Sequence, residues 1–599
     1  MKWEIAALGA CACLVLAGCE SLDGLAEVGS AAGYNDGFVA YAPETLSAEQ
    51  MAARKEAVLN SPEWSEYNAD VKMLPFTLDK YQYHTDAPVG TVLHRTRESL
   101  YFAEKLLNTY DPEMTQQAID IIRAVVPLQC SDPSREFYGV WPYYPEEPLE
   151  TKKSGFDPNW ADFMAVSLLD IWMLHEDRIP DDLRAEVKES LIRSCAAIKR
   201  RNARPGYTNV AIMSTYVTYM VSHMFDLPEM REYGNQRLEQ FYDFTIDNGG
   251  FREFNSPTYT VVALTELQRM REHFVEPAAH EKVEELYFMG WNMVARHYHK
   301  PTGQWAGPHS RSYDNLLSSG QQEKIQEALI ANEQDFSIPN ALRHYYIDPV
   351  YPRQENDVFY KYEPRRSGVC WLTDRYALST SHANSMWNQR RPLLAYFGTA
   401  ASPKYMQLRL LLDGYDFASC GFYGIQKHNR VLANMSFVMG MGSKHRSVDL
   451  LTDGRFTGSD FRLRFEFGKV NKIPALPASR LAPAHFEAAG TRFDIRMLQA
   501  SFNGLAGYWE SGKNDENAWL DFVFYSGGER EFVMKNMDEA FLTFCLGVSA
   551  DESAPDLSTA TAFIKDGMVV SEWDGLRQST PIKPWLVTNC YSGVSFNWK

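Results

Sequence analysis

The hydrophobic positions along the chain change their period once. From about residue 46 to residue 347, apolar residues recur at intervals of three and four, which is the spacing of one face of an α-helix. The clearest segments are SLYFAEKLLNTY, TQQAIDIIRAVV, WADFMAVSLLDIWML, LRAEVKESLIRSCAAIKRR, VAIMSTYVTYMVSHMF, YTVVALTELQRMREHF and KVEELYFMGWNMVARHY. Several begin after Asp, Asn, Ser or Thr, residues that cap helix N-termini. So many successive helices predict helical hairpins packed in a ring, an (α/α) toroid.

Beyond residue 365 the apolar segments become short and rich in β-branched and aromatic residues, and Gly, Asn or Asp bounds them. They are SGVCWLTDRYALSTS, RPLLAYFG, RVLANMSFVMGMG, RFDIRMLQASFNG, AWLDFVFYSGG, TAFIKDGMVVSEW and WLVTNCYSGVSF. This pattern predicts antiparallel strands in a β-sandwich. The predicted fold class is therefore multidomain: an N-terminal (α/α) toroid followed by a C-terminal antiparallel β-sandwich. The segment DPVYPRQEND reads as part of the linker.

The first residues, MKWEIAALGACACLVLAGCES, carry one Lys before an apolar run that is too short for a membrane-spanning helix. The run ends in Leu16-Ala17-Gly18-Cys19, which resembles the bacterial lipobox. That resemblance implies lipidation of Cys19, a membrane anchor and, because Glu20 follows, the outer membrane. A buried N-terminal helix is the alternative. The predicted domains are a signal peptide (1–18), a tether (19–45), the toroid (46–347), a linker (348–365) and the sandwich (366–599).

Composition narrows the function classes. The chain has 599 residues, 45% of them hydrophobic and 13% aromatic, enough for a sizeable core and at least two domains. A formal net charge of −18 argues against nucleic acid as a partner. An anionic glycan stays compatible with that charge, because a cleft can be locally basic on an acidic protein. The cysteines beyond Cys19 are scattered, which is neither a disulfide framework nor a metal spacing.

Three polar motifs stand out in this order along the chain. RPGYTNVAIMSTY supplies Asn209 at the start of an apolar helix, GGFREFNSPTY ends in Tyr259 beside a helix-starting proline, and STSHANSMWNQRRP supplies His382 in the sandwich. A helical toroid joined to a β-sandwich resembles the heparinase II/III-like and alginate-lyase-like polysaccharide lyases. The resemblance implies β-elimination, with Tyr as base or acid, Asn facing the uronate carboxylate, and a further His from the sandwich. The chain departs from it at Val210, where many relatives have His.

A fourth motif, QWAGPHSRSYDN, offers the missing donor. His309, Arg311 and Tyr313 are two residues apart, so an extended loop would turn all three side chains the same way. An Arg fork matches a carboxylate or sulfate with two parallel hydrogen bonds. The predicted catalytic residues are Asn209, Tyr259, His309, Tyr313 and His382.

Basic residues flank each of these motifs, and tryptophan or tyrosine lies beside most of them. In an acidic protein such clusters suit an anionic glycan, and aromatic rings offer sugars a flat apolar face. Glu253 and Asn255 are expected to position sugar hydroxyls or to orient Tyr259. The predicted substrate-binding residues are Trp160, Arg204, Tyr207, Arg252, Glu253, Asn255, Trp305, Arg311, Trp387 and Arg390.

Each residue has a structural interpretation as well. Asn209 could cap its helix, Tyr259 could be a core tyrosine, His309 a loop histidine, and His382 an ordinary strand-end histidine. Whether Tyr259 or Tyr313 is the base stays open at this point, as do the polymer, endo or exo action and the oligomeric state.

The sequence therefore predicts a lyase that cleaves a uronic-acid-containing anionic polysaccharide. One alternative is a glycoside hydrolase with paired carboxylates drawn from Glu253, Asp157 and Asp162, which would require separations of roughly 5–10 Å. Another is a non-catalytic glycan-binding lipoprotein. No cofactor is required by the predicted reaction. His297 and His299 do not make a catalytic zinc spacing, although a structural ion in the sandwich is compatible with the sequence.

Overall fold

The structure is a computed structural model that describes residues 46–79, 82, 84–362, 365–439, 451, 453–550 and 552–585. The chain forms two compact units. Among the described residues, the helical unit comprises residues 46–244 together with Glu266–Leu286. The sheet unit comprises Thr245–Thr265 and the chain from Tyr287 onward.

The described residues contain twelve α-helices. They are α1 (Ala48–Leu59), α2 (Pro62–Glu66), α3 (Thr96–Leu107), α4 (Pro112–Val125), α5 (Trp160–His175), α6 (Asp181–Arg201), α7 (Thr208–Met224), α8 (Pro228–Asn248), α9 (Tyr259–His273), α10 (Pro277–His297), α11 (Ser319–Ile330) and α12 (His344–Ile347).

Local signals account for several helix starts. Ser47 and Gln50 form a reciprocal capping box before α1, and Ser318 and Gln321 form another before α11. Asp111 caps α4 with its carboxylate, and a proline follows it at the first helical position. In the helical unit, consecutive helices pack on one another, α3 on α4, α5 on α6 and α6 on α7. These are helix pairs of the kind from which an (α/α) toroid is built.

The strands follow the same chain order. They are β1 (Leu74–Thr77), β2 (Val92–Arg95), β3 (Tyr298–His299), β4 (Gln304–Trp305), β5 (Arg353–Tyr360), β6 (Arg366–Leu372), β7 (Tyr376–His382), β8 (Asn384–Ser385), β9 (Leu393–Thr399), β10 (Ser402–Leu412), β11 (Tyr415–Asp416), β12 (Cys420–Lys427), β13 (Arg430–Phe437), β14 (Arg455–Gly468), β15 (Ala484–Ala488), β16 (Thr491–Phe502), β17 (Tyr508–Lys513), β18 (Asn517–Val533), β19 (Ala540–Ser549), β20 (Thr561–Lys565), β21 (Met568–Trp573) and β22 (Leu576–Pro581).

Two antiparallel sheets make the body of the sheet unit. The larger has nine strands in the order β17-β18-β14-β10-β9-β7-β6-β5, with β11 paired to β10. The smaller has six, in the order β15-β16-β19-β13-β12-β8. One buried core holds side chains from both sheets, for example Phe465 of β14 and Phe544 of β19, whose ring centroids are 5.2 Å apart. Sharing one core makes the pair a β-sandwich.

The predicted fold class, helices followed by an antiparallel β-sandwich, is confirmed. The segment predicted as a linker carries β5, and the predicted domain boundaries themselves stay predictions. The predicted signal peptide, the tether and the strand segment after Trp585 lie outside the described residues. None of the helices that the structure describes combines the length and apolar character that crossing a membrane requires.

Candidate functional site

The start of α9 carries the first predicted catalytic residue of the sheet unit. The loop before it turns at Asn255, which has a positive φ of 46°, a conformation that Asn tolerates better than most residues. Ser256 follows and is fully buried. Its Oγ accepts a hydrogen bond from the backbone N–H of Tyr259 at 3.0 Å and donates one to the carbonyl of Arg311 at 2.7 Å. One serine therefore holds the start of α9 against the loop that carries Arg311.

That loop, residues 305–313, is held from two further directions. The amide nitrogen of Asn255 donates to the carbonyls of Ala306 at 2.8 Å and Pro308 at 3.0 Å. The backbones of His309 and Arg391 exchange hydrogen bonds in both directions, at 3.2 and 3.1 Å. The loop is thus fixed to both the α9 approach and the segment that precedes β9.

Arg311 lies at the centre of the site. Its Nη2 donates to the hydroxyl of Tyr259 at 2.9 Å, and its guanidinium lies 4.0 Å from the centre of the Tyr259 ring. The same Nη2, together with Nε, donates to Oε1 of Gln389 at 2.8 and 3.0 Å. Nη1 forms an ion pair with Glu253 at 3.2 Å. The arginine is buried and its contacts fix its orientation.

Two phenols meet next to this guanidinium. The hydroxyl oxygens of Tyr259 and Tyr313 are 2.6 Å apart, and either can donate the proton that they share. Both side chains are half-buried, whereas Glu253, Arg311 and Gln389 are buried. The tyrosine pair is therefore the part of this cluster that is partly exposed to solvent.

Further arginines lie near Arg311. Burial first, and then the guanidinium groups of Arg366, Arg311 and Arg252, lower the pKa of Arg390 well below its ordinary value. The side chain of Arg390 donates to Asn384 and Ser385 of β8, at 2.7 and 2.8 Å. Arg252, Arg311 and Arg366 thus lie close enough to influence Arg390, and this group of cations favours a positive local potential in a protein of formal net charge −18.

His309 has a different place from the one predicted. It is 1% exposed, and its Nε2 lies 2.9 Å from the carbonyl of Trp305, so Nε2 carries the hydrogen in that contact. Burial is the main cause that lowers the pKa of His309 to about 3. The ring is therefore neutral near neutral pH, and its hydrogen bond to Trp305 supports the loop; its predicted catalytic role stays a prediction.

Three other predicted contact residues also support the site from behind. The indole nitrogen of Trp305 donates to Oδ1 of Asn255, and both side chains are 1% exposed. Trp387 is 4% exposed and its ring lies under Arg311, at 5.4 Å. Rings and amides buried to this extent offer a sugar no free face in this structure. The structure accordingly assigns Asn255, Trp305 and Trp387 to support, which differs from the predicted sugar contacts.

His382 ends β7 and is half-buried. Its ring packs edge-on against Tyr423 at 5.6 Å, and burial lowers its pKa. None of its contacts among the described residues reaches Tyr259 or Tyr313. Its predicted catalytic part stays a prediction.

The remaining predicted residues belong to the helical unit. Asn209 is the second residue of α7 and is buried; the N-cap of that helix is Tyr207, so Asn209 is not the capping residue. The hydroxyl of Tyr207 accepts a hydrogen bond from Asn159 at 3.2 Å. Trp160 is buried beneath Arg97 at 4.8 Å, whereas Arg204 is exposed. Their predicted roles are not tested by these contacts.

The carboxylates named for a hydrolase are all engaged. Glu253 pairs with Arg311, and Asp157 accepts a hydrogen bond from Tyr143 at 2.6 Å. Asp162 is fully buried and pairs with Arg201 at 2.8 Å. Burial raises the pKa of Asp162 in spite of that arginine. Glu253 and Asp162 are buried, whereas Asp157 is half-buried, so Asp157 is the one of these three carboxylates that is partly exposed to solvent.

The sequence analysis missed Gln389, Ser256 and Arg366. Gln389 stands inside the quoted motif STSHANSMWNQRRP, beside the arginines that drew attention. A neutral glutamine carries no charge signal, and its importance rests on a contact with a residue 78 positions away. Ser256 has a local signal, because a serine three residues before a helical N–H is a capping pattern.

The described residues show no group of three or more His, Cys, Asp or Glu side chains arranged to hold a metal ion. His297 and His299 have protein partners: His297 contacts Asp357 at 2.8 Å, and His299 contacts Thr302 at 2.7 Å. The five cysteines that the structure describes are not joined to one another by disulfide bonds.

Comparison with known proteins gives three findings. Residues 76–323 match the model of DUF8769, a domain of unknown function, a segment that includes Tyr259 and Tyr313 and ends before Gln389. No curated protein sequence matches the chain. Several solved structures are similar in fold.

One is heparinase III, with 9% identity, a TM-score of 0.43 and coverage of 90% of this chain and 91% of that chain. A heparan sulfate lyase mutant from Pedobacter heparinus has 9% identity, a TM-score of 0.35 and coverage of 90% of each chain. The chondroitin AC lyase of Streptomyces coelicolor A3, in complex with chondroitin sulphate, has 10% identity, a TM-score of 0.46 and coverage of 89% of this chain and 84% of that chain. The substrates in these names belong to the matched enzymes and are not assigned to this chain.

Proposed function

We propose that the chain is a polysaccharide lyase that cleaves a uronic-acid-containing polysaccharide by β-elimination. One observation carries the proposal: the hydroxyl of Tyr259 lies within hydrogen-bond distance of both the Arg311 guanidinium, at 2.9 Å, and the Tyr313 hydroxyl, at 2.6 Å. A phenol between a cation and a second phenol has what a proton-transfer site requires, because each partner stabilises one of its protonation states.

Tyr259 acts as the base. A tyrosine ordinarily loses its proton near pH 10, so a base of this type requires a nearby positive charge to be ionised at lower pH. Arg311 supplies that charge by direct donation to the Tyr259 oxygen. Tyr313 has no such contact with a guanidinium among the hydrogen bonds of the described residues. This asymmetry supports Tyr259 as base and Tyr313 as acid.

Both tyrosines return to their starting protonation states after one turnover. The Tyr259 oxygen takes the proton from the carbon next to the uronate carboxylate, and the electrons left behind form a carbon–carbon double bond as the bond to the glycosidic oxygen breaks. Tyr313 gives its proton to that leaving oxygen. Tyr259 is then protonated and Tyr313 ionised, and the 2.6 Å contact between the two oxygens returns the proton directly.

The positive surroundings suit the charge that develops in this reaction. Removing a proton beside a carboxylate concentrates negative charge on the sugar, and preorganised cations stabilise such charge at little reorganisation cost. Arg311 contacts Tyr259 directly, and Arg252, Arg366 and Arg390 add to the local potential. Asn209 and His382 stay sequence predictions for this reaction.

The decisive experiment incubates the detergent-solubilised full chain with alginate, glucuronan, ulvan and glycosaminoglycans and follows the ultraviolet absorbance of the new double bond. We expect the absorbance to rise with at least one polymer. The Tyr259→Phe variant should lose on the order of 100- to 10,000-fold in kcat, the usual contribution of general acid–base catalysis.

Tyr242→Phe is the matched control, because the Tyr242 hydroxyl binds Glu285 at 2.5 Å on the exposed surface of the helical unit. That variant should keep the parent activity. New reducing ends without absorbance would replace the lyase by a hydrolase, and a fully active Tyr259→Phe would remove Tyr259 from the chemistry.

We also propose that the chain is a lipoprotein anchored through Cys19, in the outer membrane. The lipobox-like segment Leu16 to Cys19, followed by Glu20, supports the proposal. Metabolic labelling with a fatty acid, compared between the parent and Cys19→Ala, tests it. Label that persists in Cys19→Ala would contradict it.

A further inference from the structure

Gln389 holds the loop of residues 305–313 at two points. It follows β8 and is 5% exposed. Its backbone carbonyl accepts a hydrogen bond from the N–H of Ser312 at 2.7 Å, and its side-chain Oε1 accepts from Nε and Nη2 of Arg311 at 3.0 and 2.8 Å. One residue thus fixes both the main chain next to Arg311 and the plane of its guanidinium.

The chemical type of this partner is unusual. The Nε and Nη2 edge of an arginine matches a carboxylate, which takes both N–H groups and pairs the charge. The same unit contains that arrangement at other arginines: Asp416 takes this edge of Arg409 at 2.9 and 2.6 Å, and Asp521 takes that of Arg464 at 2.8 Å for both contacts. At Arg311 a neutral amide oxygen stands where those arginines have an acid.

An acid and an amide at this edge have different effects on the charge of the arginine. Asp416 binds Arg409 and raises its pKa above the ordinary value, which means that the positive charge is stabilised and paired. Gln389 orients the guanidinium of Arg311 through the same two N–H groups and adds no negative charge. The Nη2 group that Gln389 holds is also the one that donates to the Tyr259 hydroxyl. The contact with Gln389 therefore fixes the Nη2 group of Arg311 where it donates to the Tyr259 hydroxyl, and it does not neutralise the arginine's charge there.

We propose that Gln389 is a positioning residue that aims the Arg311 guanidinium at Tyr259 and adds no negative charge of its own at the Nε and Nη2 edge. The inference rests on the proposed function, since it explains how Tyr259 becomes a base. The other charged groups that face this cluster are Glu253, on Nη1 of Arg311, and the arginines Arg252, Arg366 and Arg390.

Gln389→Glu is the sharpest variant, because it keeps the shape and both acceptor contacts and adds one negative charge. That charge should disfavour the Tyr259 phenolate, so the rising limb of the pH profile of kcat moves to higher pH by about one unit. KM should change little. Gln389→Met removes the acceptor without adding charge, so kcat should fall about tenfold at every pH while the limb moves less.

A second readout requires no substrate. In protein containing 3-fluorotyrosine, fluorine NMR follows each phenol, and the resonance missing from Tyr259→Phe belongs to Tyr259. Its titration midpoint should rise by about one pH unit in Gln389→Glu. Gln354→Glu is the control, since Gln354 on β5 accepts from His428 at 2.8 Å and gains the same charge. That variant should leave the midpoint unchanged.

The two readouts separate the two proposals. If no polymer is cleaved by the parent protein but the midpoint rises in Gln389→Glu, the lyase function fails and the positioning inference stands. An unchanged midpoint in a folded Gln389→Glu overturns the inference even if the parent is a lyase. Should Gln389→Glu fail to fold, a Gln389→Met variant with parental kcat and midpoint overturns it equally.

Discussion

Each of the two units contains an arginine that contacts several titratable groups. The two clusters differ in their balance of positive and negative groups. Arg311 in the sheet unit contacts one carboxylate, Glu253, together with the neutral Gln389 and the phenol of Tyr259. Arg269 in the helical unit pairs with Asp170 and lies 3.5 Å from Glu266. The first cluster is rich in positive charge and the second in negative charge.

The acid-rich cluster holds protons. Burial first, and then the nearby Asp170, raise the pKa of Glu104 to about 8. Burial likewise raises the pKa of Glu266 to about 7 and raises that of Asp170. One arginine cannot balance this many buried carboxylates, so some stay protonated near neutral pH.

The difference separates two uses of the same residue type. Around Arg269 the protein's own acids use the positive charge, so the cluster serves stability and makes that stability depend on pH. Around Arg311 the Nε and Nη2 edge contacts an uncharged amide, and Nη2 also donates to the Tyr259 hydroxyl. Helix α9 contributes to both clusters, with Tyr259 as its first residue and Arg269 near its end.

The largest effect is expected when the central arginine of the arginine-rich cluster, Arg311, is replaced. Arg311→Met should lower kcat about 100- to 1,000-fold, the usual result of removing a preorganised donor from a developing negative charge. Steady-state assays by double-bond absorbance measure it. Arg430→Met is the matched control, because Arg430 pairs at 3.5 Å with the exposed Asp574. Equal losses in both variants would show that Arg311 has no special part in the reaction.

Removing the other arginine should cost stability instead. Arg269→Met leaves Asp170 and Glu266 without their shared cation, and we expect the unfolding free energy of the helical unit to fall by about 2–3 kcal/mol. Loss of one partner of a fully buried pair costs about 3–5 kcal/mol, and Arg269 is partly exposed. Urea unfolding followed by far-ultraviolet circular dichroism measures it.

The loss in Arg269→Met should depend on pH in a definite direction. The pKa values of Glu104 and Glu266 are raised to about 8 and about 7 in the folded protein, so these two carboxylates are mostly neutral at about pH 6 and more ionised at about pH 8. An unpaired buried charge is the costly state, so the destabilisation should be larger at the higher pH. An equal loss at both would contradict the assignment of raised pKa values to this cluster.

The smallest expected effect is a gain in stability when a carboxylate of the acid-rich cluster is replaced. Between the ordinary pKa of 4.5 and the raised pKa of about 8, folded Glu104 holds a proton that the unfolded chain has released, so its contribution to stability falls as pH rises. Glu104→Gln removes that dependence and should stabilise the helical unit by about 1–2 kcal/mol at about pH 8. At about pH 5 the parent and the variant should unfold at similar urea concentrations. A destabilised variant at about pH 8 would overturn the prediction.

Much of the fold follows from local pattern. The seven helical segments and the first six strand segments predicted from periodicity correspond to helices and strands of the structure, because burial of one face imposes a period that the sequence must carry. Other elements, such as α8 and β14, were not among the predicted segments. Charged and aromatic residues interrupt the apolar pattern of α8, and β14 has alternating arginines on one face.

The sequence predicted the tyrosine pair and its arginine, but not the burial of the residues that support them. Tyr259, Arg311 and Tyr313 were predicted from polar, Gly- and Pro-flanked motifs, and the structure brings these three together. His309, Trp305 and Asn255 come from the same motifs but lie behind the loop, at 1% exposure. Nothing in the spacing of a motif separates a side chain that faces solvent from one that faces the core.

The sequence alone settled the order of helices and strands and the residue types that could move protons, because both are written in local period and side-chain chemistry. The long-range packing settled which of those residues meet, and with what partner. Gln389 contacts Arg311 across 78 residues, and Ser256 contacts it across 55. Burial and pairing set the charge that a group carries, and both arise from contacts between segments far apart in the chain.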